Sequence, residues 1–135
     1  MGEVTGISPL FTIDLNGHNL NLGNNQFNTP YTNLYIKDGT GSGTAVVTGT
    51  NMPSCIALTL DGVQLRTSKF RCYNLTMTNN AGIIFDGGIG NDAQVTLKNM
   101  TMADGCWMQG INCGTFTVDG VQKGVDYDFD CNDVI

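Results

Sequence analysis

The sequence predicts an all-β fold of one domain, a parallel solenoid in which short strands stack coil upon coil. Three observations carry that prediction. The chain has 135 residues, enough for one continuous core, yet only 13% are charged while 18 are glycine. That is a composition of tight corners, not of helices. No stretch sustains apolar residues at i, i+3, i+4 and i+7 over three turns. Finally, the chain repeats itself. The segments IDLNG, LYIKD, LTLDG, LTMTN, VTLKN and FTVDG begin at Ile13, Leu34, Leu58, Leu75, Val95 and Phe116, at spacings of 21, 24, 17, 20 and 21 residues.

Each position of the repeat has its own chemistry. The first is Ile13, Leu34, Leu58, Leu75, Val95 and Phe116; the third is Leu15, Ile36, Leu60, Met77, Leu97 and Val118. All are apolar, and the position between them is Asp14, Tyr35, Thr59, Thr76, Thr96 and Thr117. This is the two-residue period of a strand with one buried side. The fifth position, Gly17, Asp38, Gly62, Asn79, Asn99 and Gly120, holds the three residue types that best tolerate a left-handed backbone. A bend therefore recurs after every strand. An antiparallel sandwich would alternate too, but it has no reason to place such residues at one offset six times. The expectation is about six coils of roughly 21 residues, spanning 11–124, after an N-terminal arm or cap at 1–10 and before an acidic strand or tail at 125–135.

The stretch FTIDLNGHNLNL, from Phe11 to Leu22, tests this reading. Alone it is a β-hairpin, since Asn-Gly between alternating residues favours a type I′ turn. Set against the later segments, Gly17 becomes a coil corner and the pairing partner moves one coil away, near Leu34 to Lys37.

Four phrases, FTIDLNGHNLNL, NLYIKDGTGSG, CYNLTMTNNAGIIFDGG and QVTLKNMTMADG, resemble coils of right-handed parallel β-helix proteins, the pectin-lyase-like group. The resemblance covers about residues 11 to 121 and implies a single-stranded, right-handed helix, the hand that parallel crossovers generally take. It says little about task, because the group includes polysaccharide lyases, glycosidases, adhesins and phage tailspikes.

Composition narrows the partners. A net charge of −6 without Lys/Arg clusters argues against nucleic acid, and no apolar run is long enough to span a bilayer. The first residues have neither a basic nor an apolar leader region, so either no signal peptide exports the protein or the chain is a fragment of a longer one. Five cysteines, an odd number at low density, favour thiols in a reducing compartment. Cys55 and Cys72 fall on adjacent coils, within bridging range, and small buried side chains are the plainer account of them. The Thr rank is similar to those of ice-binding proteins, but its neighbour, Asn16, Lys37, Asp61, Thr78, Lys98 and Asp119, carries mixed charge that would spoil such a face.

Catalytic signals are weak. Only two arginines occur, Arg66 and Arg71, and no carboxylate cluster sits on a repeated strand, as the polysaccharide-cleaving members of the group would need. Asp86 and Asp92 flank a Gly-rich loop of ordinary turn chemistry; His18, the one histidine, has no nucleophile beside it. Asp126, Asp128 and Asp130 alternate along a terminal strand but lack the glycine and distal glutamate of a calcium loop. Neither metal nor cofactor is expected.

What is left is a stiff structural part. The expectation is a non-enzymatic virion protein, a phage capsid decoration (cement) protein or short fibre domain. It would be made in the host cytoplasm, form homotrimers, and bind the major capsid protein or another virion protein. Contact candidates are residues the coil columns do not use: Val4, Ile7, Leu10 and Phe11 of the arm, and Trp107 and Met108. The alternative is an extracellular, cell-surface module of a bacterial adhesin, with Tyr31, Tyr35 and Tyr73 offering surface for sugars to stack on.

Overall fold

A computed structural model of the chain describes residues 10–25, 33–89, 94–118 and 127–134, with side chains at 10–25, 33–50, 57–70, 72, 74–88 and 100–111. The described residues form nine strands, β1 (Leu10–Asp14), β2 (Leu20–Gly23), β3 (Asn33–Lys37), β4 (Val46–Asp61), β5 (Gln64–Thr78), β6 (Gly82–Asp86), β7 (Gln94–Met102), β8 (Trp107–Val118) and β9 (Tyr127–Val134). Every pairing among them is parallel. The fold is a right-handed parallel β-helix of roughly five coils.

Pairing runs along three ladders. The first stacks Phe11, Leu34, Leu58, Leu75 and Met100, with Ile13, Ile36, Leu60, Met77 and Met102 two residues on. The second stacks Leu20, Val47, Leu65, Ile83, Met108 and Tyr127. The third stacks Phe70, Val95, Phe116 and Val134, and beside them Cys55, Cys72, Leu97 and Val118. The long strands β4 and β5 take part in all three.

The inward columns are apolar for the reason the alternation gives. Leu15, Leu34, Ile36, Leu58, Leu60, Leu75 and Met77 are buried, and Ile13 is half-buried. Each fully buried leucine or isoleucine stabilises the fold by about 1.5–3 kcal/mol of transfer free energy. Phe70 and Phe85 join the third ladder to the second, with ring centroids 5.8 Å apart. Buried hydroxyls are satisfied: Ser68 donates to the Thr50 carbonyl at 2.8 Å and Thr67 to that of Lys69 at 3.2 Å.

Three register expectations are corrected. Phe11, not Ile13, pairs with Leu34, so Ile13 moves to Ile36. Leu15 then falls at the corner, where its N–H donates to the Lys37 carbonyl. More consequentially, VTLKN and FTVDG do not continue the column of Leu58 and Leu75. Val95 stacks on Phe70 and Leu97 on Cys72, while Met100 and Met102 take the places above Leu75 and Met77. The Thr column splits in the same way: Thr59 and Thr76 continue to Thr101, whereas Thr96 pairs with Arg71 and Thr117.

The six look-alike segments thus belong to two ladders and do not mark six equal coils. Within the first ladder the return distance varies from 17 residues, Leu58 to Leu75, to 25, Leu75 to Met100. Corners absorb the difference, since the connection after the first ladder is 62–63 in one coil and 38–45 in another, and a 3-10 turn, Gly87–Ile89, with the segment after it separates β6 from β7.

The corners show why Asn and Gly recur. His18 N–H closes on the Leu15 carbonyl at 2.9 Å around Asn16 (φ 47°) and Gly17 (φ 81°). Ala81 N–H closes on Thr78 around Asn79 (φ 54°) and Asn80 (φ 59°). Both have the positive φ pair of a type I′ turn, yet neither makes a hairpin: β1 and β2 pair with β3 and β4 instead of with each other, and β5 and β6 pair in parallel, one coil apart. Of the expected bend column, Gly17, Gly62 and Asn79 are left-handed, whereas Asp38 is not and Asn99 lies inside β7; Gly120 lies outside the described residues. Behind the corners runs a column of small buried residues, Ala45, Val63, Ala81 and Cys106, tied by N–H bonds from Gln64 to Ala45, Gly82 to Val63 and Trp107 to Ala81.

Candidate interaction surface

The first coil ends in an apolar edge. β1 pairs with β3 on one side, and among the described residues no strand pairs with its other side. Phe11 occupies an inward position of the first ladder but, with no described residue stacked on its outer side, is 53% exposed; Leu10 beside it is 65% exposed. These are the exposed large hydrophobics among the described residues. An edge strand of this kind offers unpaired backbone groups together with apolar side chains. Val4 and Ile7, grouped with them from the sequence, lie outside the described residues.

Trp107 and Met108 part company. Met108 is 1% exposed and fills the inward column of the second ladder above Ile83, so it is a core residue and no contact candidate. Trp107 is half-buried and lies against Gly82, its register partner: a Cβ on Gly82 would sit 2.1 Å from the indole Cε2. Glycine is what lets the ring lie flat there.

Sequence reasoning passed over the carboxylate network at the corners. Asp38 accepts from the Gly17 N–H at 2.9 Å, the Thr40 N–H at 3.1 Å, the Thr40 hydroxyl at 2.7 Å and the Ser42 hydroxyl at 2.6 Å. Those bonds, the Ser42 and Thr40 hydroxyls foremost, hold its carboxyl far below the ordinary range. Asp14 accepts from the N–H groups of Gly39 (2.8 Å) and Asn16 (3.0 Å), which lower it likewise. Asp61 is lowered by the Tyr35 hydroxyl and by the Asn79 amide, which donates at 2.6 Å. A cleft of about 410 Å³ opens among Asp38, Ser42, Asp61, Asn79, Asn80 and neighbouring glycines. Its carboxylates are spent on the corners' own donors, so the arrangement fixes backbone. The visible signal was Asp or Asn recurring one coil apart.

Elsewhere, burial alone would raise the Asp86 carboxyl. The Arg66 guanidinium (Nε at 3.0 Å) and the Gly88 N–H outweigh it and lower the pKa. Asp92, at the other end of the Gly-rich loop, lies outside the described residues. Cys55 and Cys72 are register partners as expected, but Cys72 keeps its thiol, which donates to the Asn74 carbonyl at 3.2 Å. Burial raises the Cys106 thiol. His18 is exposed beside its corner. Tyr35 is tied to Asp61; the side chains of Tyr31, Tyr73, Asp126, Asp128 and Asp130 lie outside the description. Among the described residues no three His, Cys, Asp or Glu side chains gather so as to hold a metal ion.

The chain is a repetitive β-helix scaffold; among the described residues Leu10 and Phe11 form an apolar edge, and Asp14, Asp38, Asp61 and Asp86 are engaged in structural hydrogen bonds. Compared with protein-family models, curated proteins and solved structures, it matches none.

Proposed function

We propose that this β-helix, of the pectin-lyase-like kind, is a non-enzymatic structural protein of a virus particle, a phage capsid decoration protein or short fibre domain. It assembles as a homotrimer and stabilises a shell through contacts with the major capsid protein or another virion protein. The observation that carries the reading is the Leu10–Phe11 edge, more than half exposed on a strand that, among the described residues, is paired on one side only. A rigid scaffold with a backbone-pairing, apolar end suits protein–protein contact. A stack of paired backbone also resists local opening and proteolysis, as a part on the outside of a particle must.

Light scattering on the purified chain, followed by co-sedimentation with shells of the particle, tests it. The expected result is a trimer that sediments with the shells, and a Phe11→Asp variant that stays folded but no longer does so. A monomer that ignores shells and binds glycans on an array at micromolar strength would replace this reading with the adhesin module.

A further inference from the structure

Asp-Gly and Asn-Gly are the dipeptides most prone to spontaneous rearrangement, because a glycine nitrogen reaches the preceding side-chain carbonyl carbon with little hindrance. The chain has six: Asn16–Gly17, Asp38–Gly39, Asp61–Gly62, Asp86–Gly87, Asp104–Gly105 and Asp119–Gly120. The last lies outside the described residues. Rearrangement needs a side chain able to rotate onto its own neighbour and a main-chain nitrogen not otherwise engaged.

Four of the five described pairs are held. Gly17 N–H is taken by Asp38 at 2.9 Å. Asp38 has four donors on it, and Gly39 N–H is taken by Asp14 at 2.8 Å. Asp61 is held by Tyr35 and Asn79, and Gly62 N–H by the Thr78 carbonyl at 3.1 Å. Asp86 is 3% exposed and held by Arg66 and Gly88. Asp104–Gly105 differs. Both residues are exposed, Gly105 is left-handed at φ +83°, and among the described residues neither the carboxylate nor the Gly105 N–H has a hydrogen-bond partner.

We infer that Asp104–Gly105 is a site of isoaspartate formation, and that it rearranges first among the four described Asp-Gly pairs. The Gly105 nitrogen attacks the Asp104 Cγ; a C–N bond forms, a C–O bond breaks and water leaves, giving a succinimide. Water then adds at the Asp104 main-chain carbonyl carbon and that carbon's bond to nitrogen breaks, so the chain now runs through the former side chain. Atoms balance with no oxidant or reductant. The product adds one methylene to the main chain inside a corner closed by Cys106 N–H on the Ala103 carbonyl at 3.2 Å, next to the Trp107 N–H bond to Ala81. The product is also a substrate for repair methylation of the new carboxylate by an S-adenosylmethionine-dependent enzyme.

The test is peptide mapping of the full chain aged at mildly acidic pH and body temperature, with isoaspartate located by electron-transfer fragmentation and counted by isoaspartyl methyltransferase labelling. The same chain aged in urea gives each pair's intrinsic rate. Relative to that rate, Asp104 is expected roughly tenfold or more ahead of Asp38, Asp61 and Asp86, since each of those must first open hydrogen bonds. Asp104→Glu, which would need a six-membered ring, is expected to remove the Asp104 product, and Tyr35→Phe with Asn79→Ala to speed Asp61. If Asp38, Asp61 or Asp86 rearranges as fast as Asp104 in the folded chain, the inference is overturned.

Discussion

Leu60 and Phe11 both occupy inward positions of the first ladder, yet Leu60 is fully buried and Phe11 is 53% exposed. Alternation is the same in both strands. What differs is the stack: Leu60 lies between Ile36 and Met77, whereas Phe11 has, among the described residues, only Leu34. In a solenoid the strand decides which way a side chain points, and the coils above and below decide whether it is buried. Substitutions should therefore separate a closed middle from an open end.

The largest effect is expected at Leu60. Leu60→Asp places an unpaired charge between two apolar neighbours and should abolish the cooperative thermal transition seen by circular dichroism. Leu60→Ala is the milder form, at about 2–5 kcal/mol in urea unfolding. A variant with an unchanged melting temperature would mean that the ladder is misassigned.

Glycines come next, and two of them separate crowding from strain. A Cβ at Gly82 would collide with Trp107, while at Gly62 the nearest atom stands at 3.7 Å and the difficulty is φ +67°. Gly82→Ala should cost about 1–3 kcal/mol, and Trp107→Ala in the same chain should recover part of it, a coupling readable in a double-mutant cycle. Gly62→Val should also cost about 1–3 kcal/mol, with no such partner to relieve it.

These two glycines also show how far the sequence could be read. Gly62 was legible, because its offset after an apolar-x-apolar triplet recurs in other coils. Gly82 was not: nothing in AGIIFD says that a tryptophan 25 residues later will lie across it, because that contact depends on register. The same limit misplaced VTLKN. A five-residue pattern reports that a strand has one buried side but not which ladder it joins, and the insertion around Gly87–Ile89 shifts the stack without altering the pattern. Leu10 and Phe11 stood out from the sequence as residues outside the columns, whereas Met108 resembled them and proved to be core. The corner carboxylates were visible as recurring Asp and Asn, but only the folded corner shows which N–H each one holds.

Arg66 tests the carboxylates. Arg66→Ala leaves Asp86 buried without its cation, at about 1–3 kcal/mol near neutral pH, reduced by the screening that a 45% exposed guanidinium feels. The sign follows from the lowered Asp86 pKa. Stability from the pair is present above the unfolded aspartate value of about 3.9 and is lost as pH falls through the lower folded value. The gap between wild type and variant should therefore close in acid; a gap that stays constant down to low pH would assign the loss to packing of the arginine stem.

Phe11 should give the smallest change in stability and the most specific change in behaviour. Phe11→Ser removes a ring that already meets solvent over half its surface and has one stacked neighbour among the described residues, so it should cost the isolated chain under about 1 kcal/mol, well below any buried leucine. The lost surface is the same apolar edge that an added strand or partner would cover, so self-association and shell binding should fall while the melting temperature holds. If Phe11→Ser instead destabilises the chain as much as Leu60→Ala does, Phe11 is covered within a single molecule. The open end would then be part of the core, and contact would have to be sought on another face of the helix.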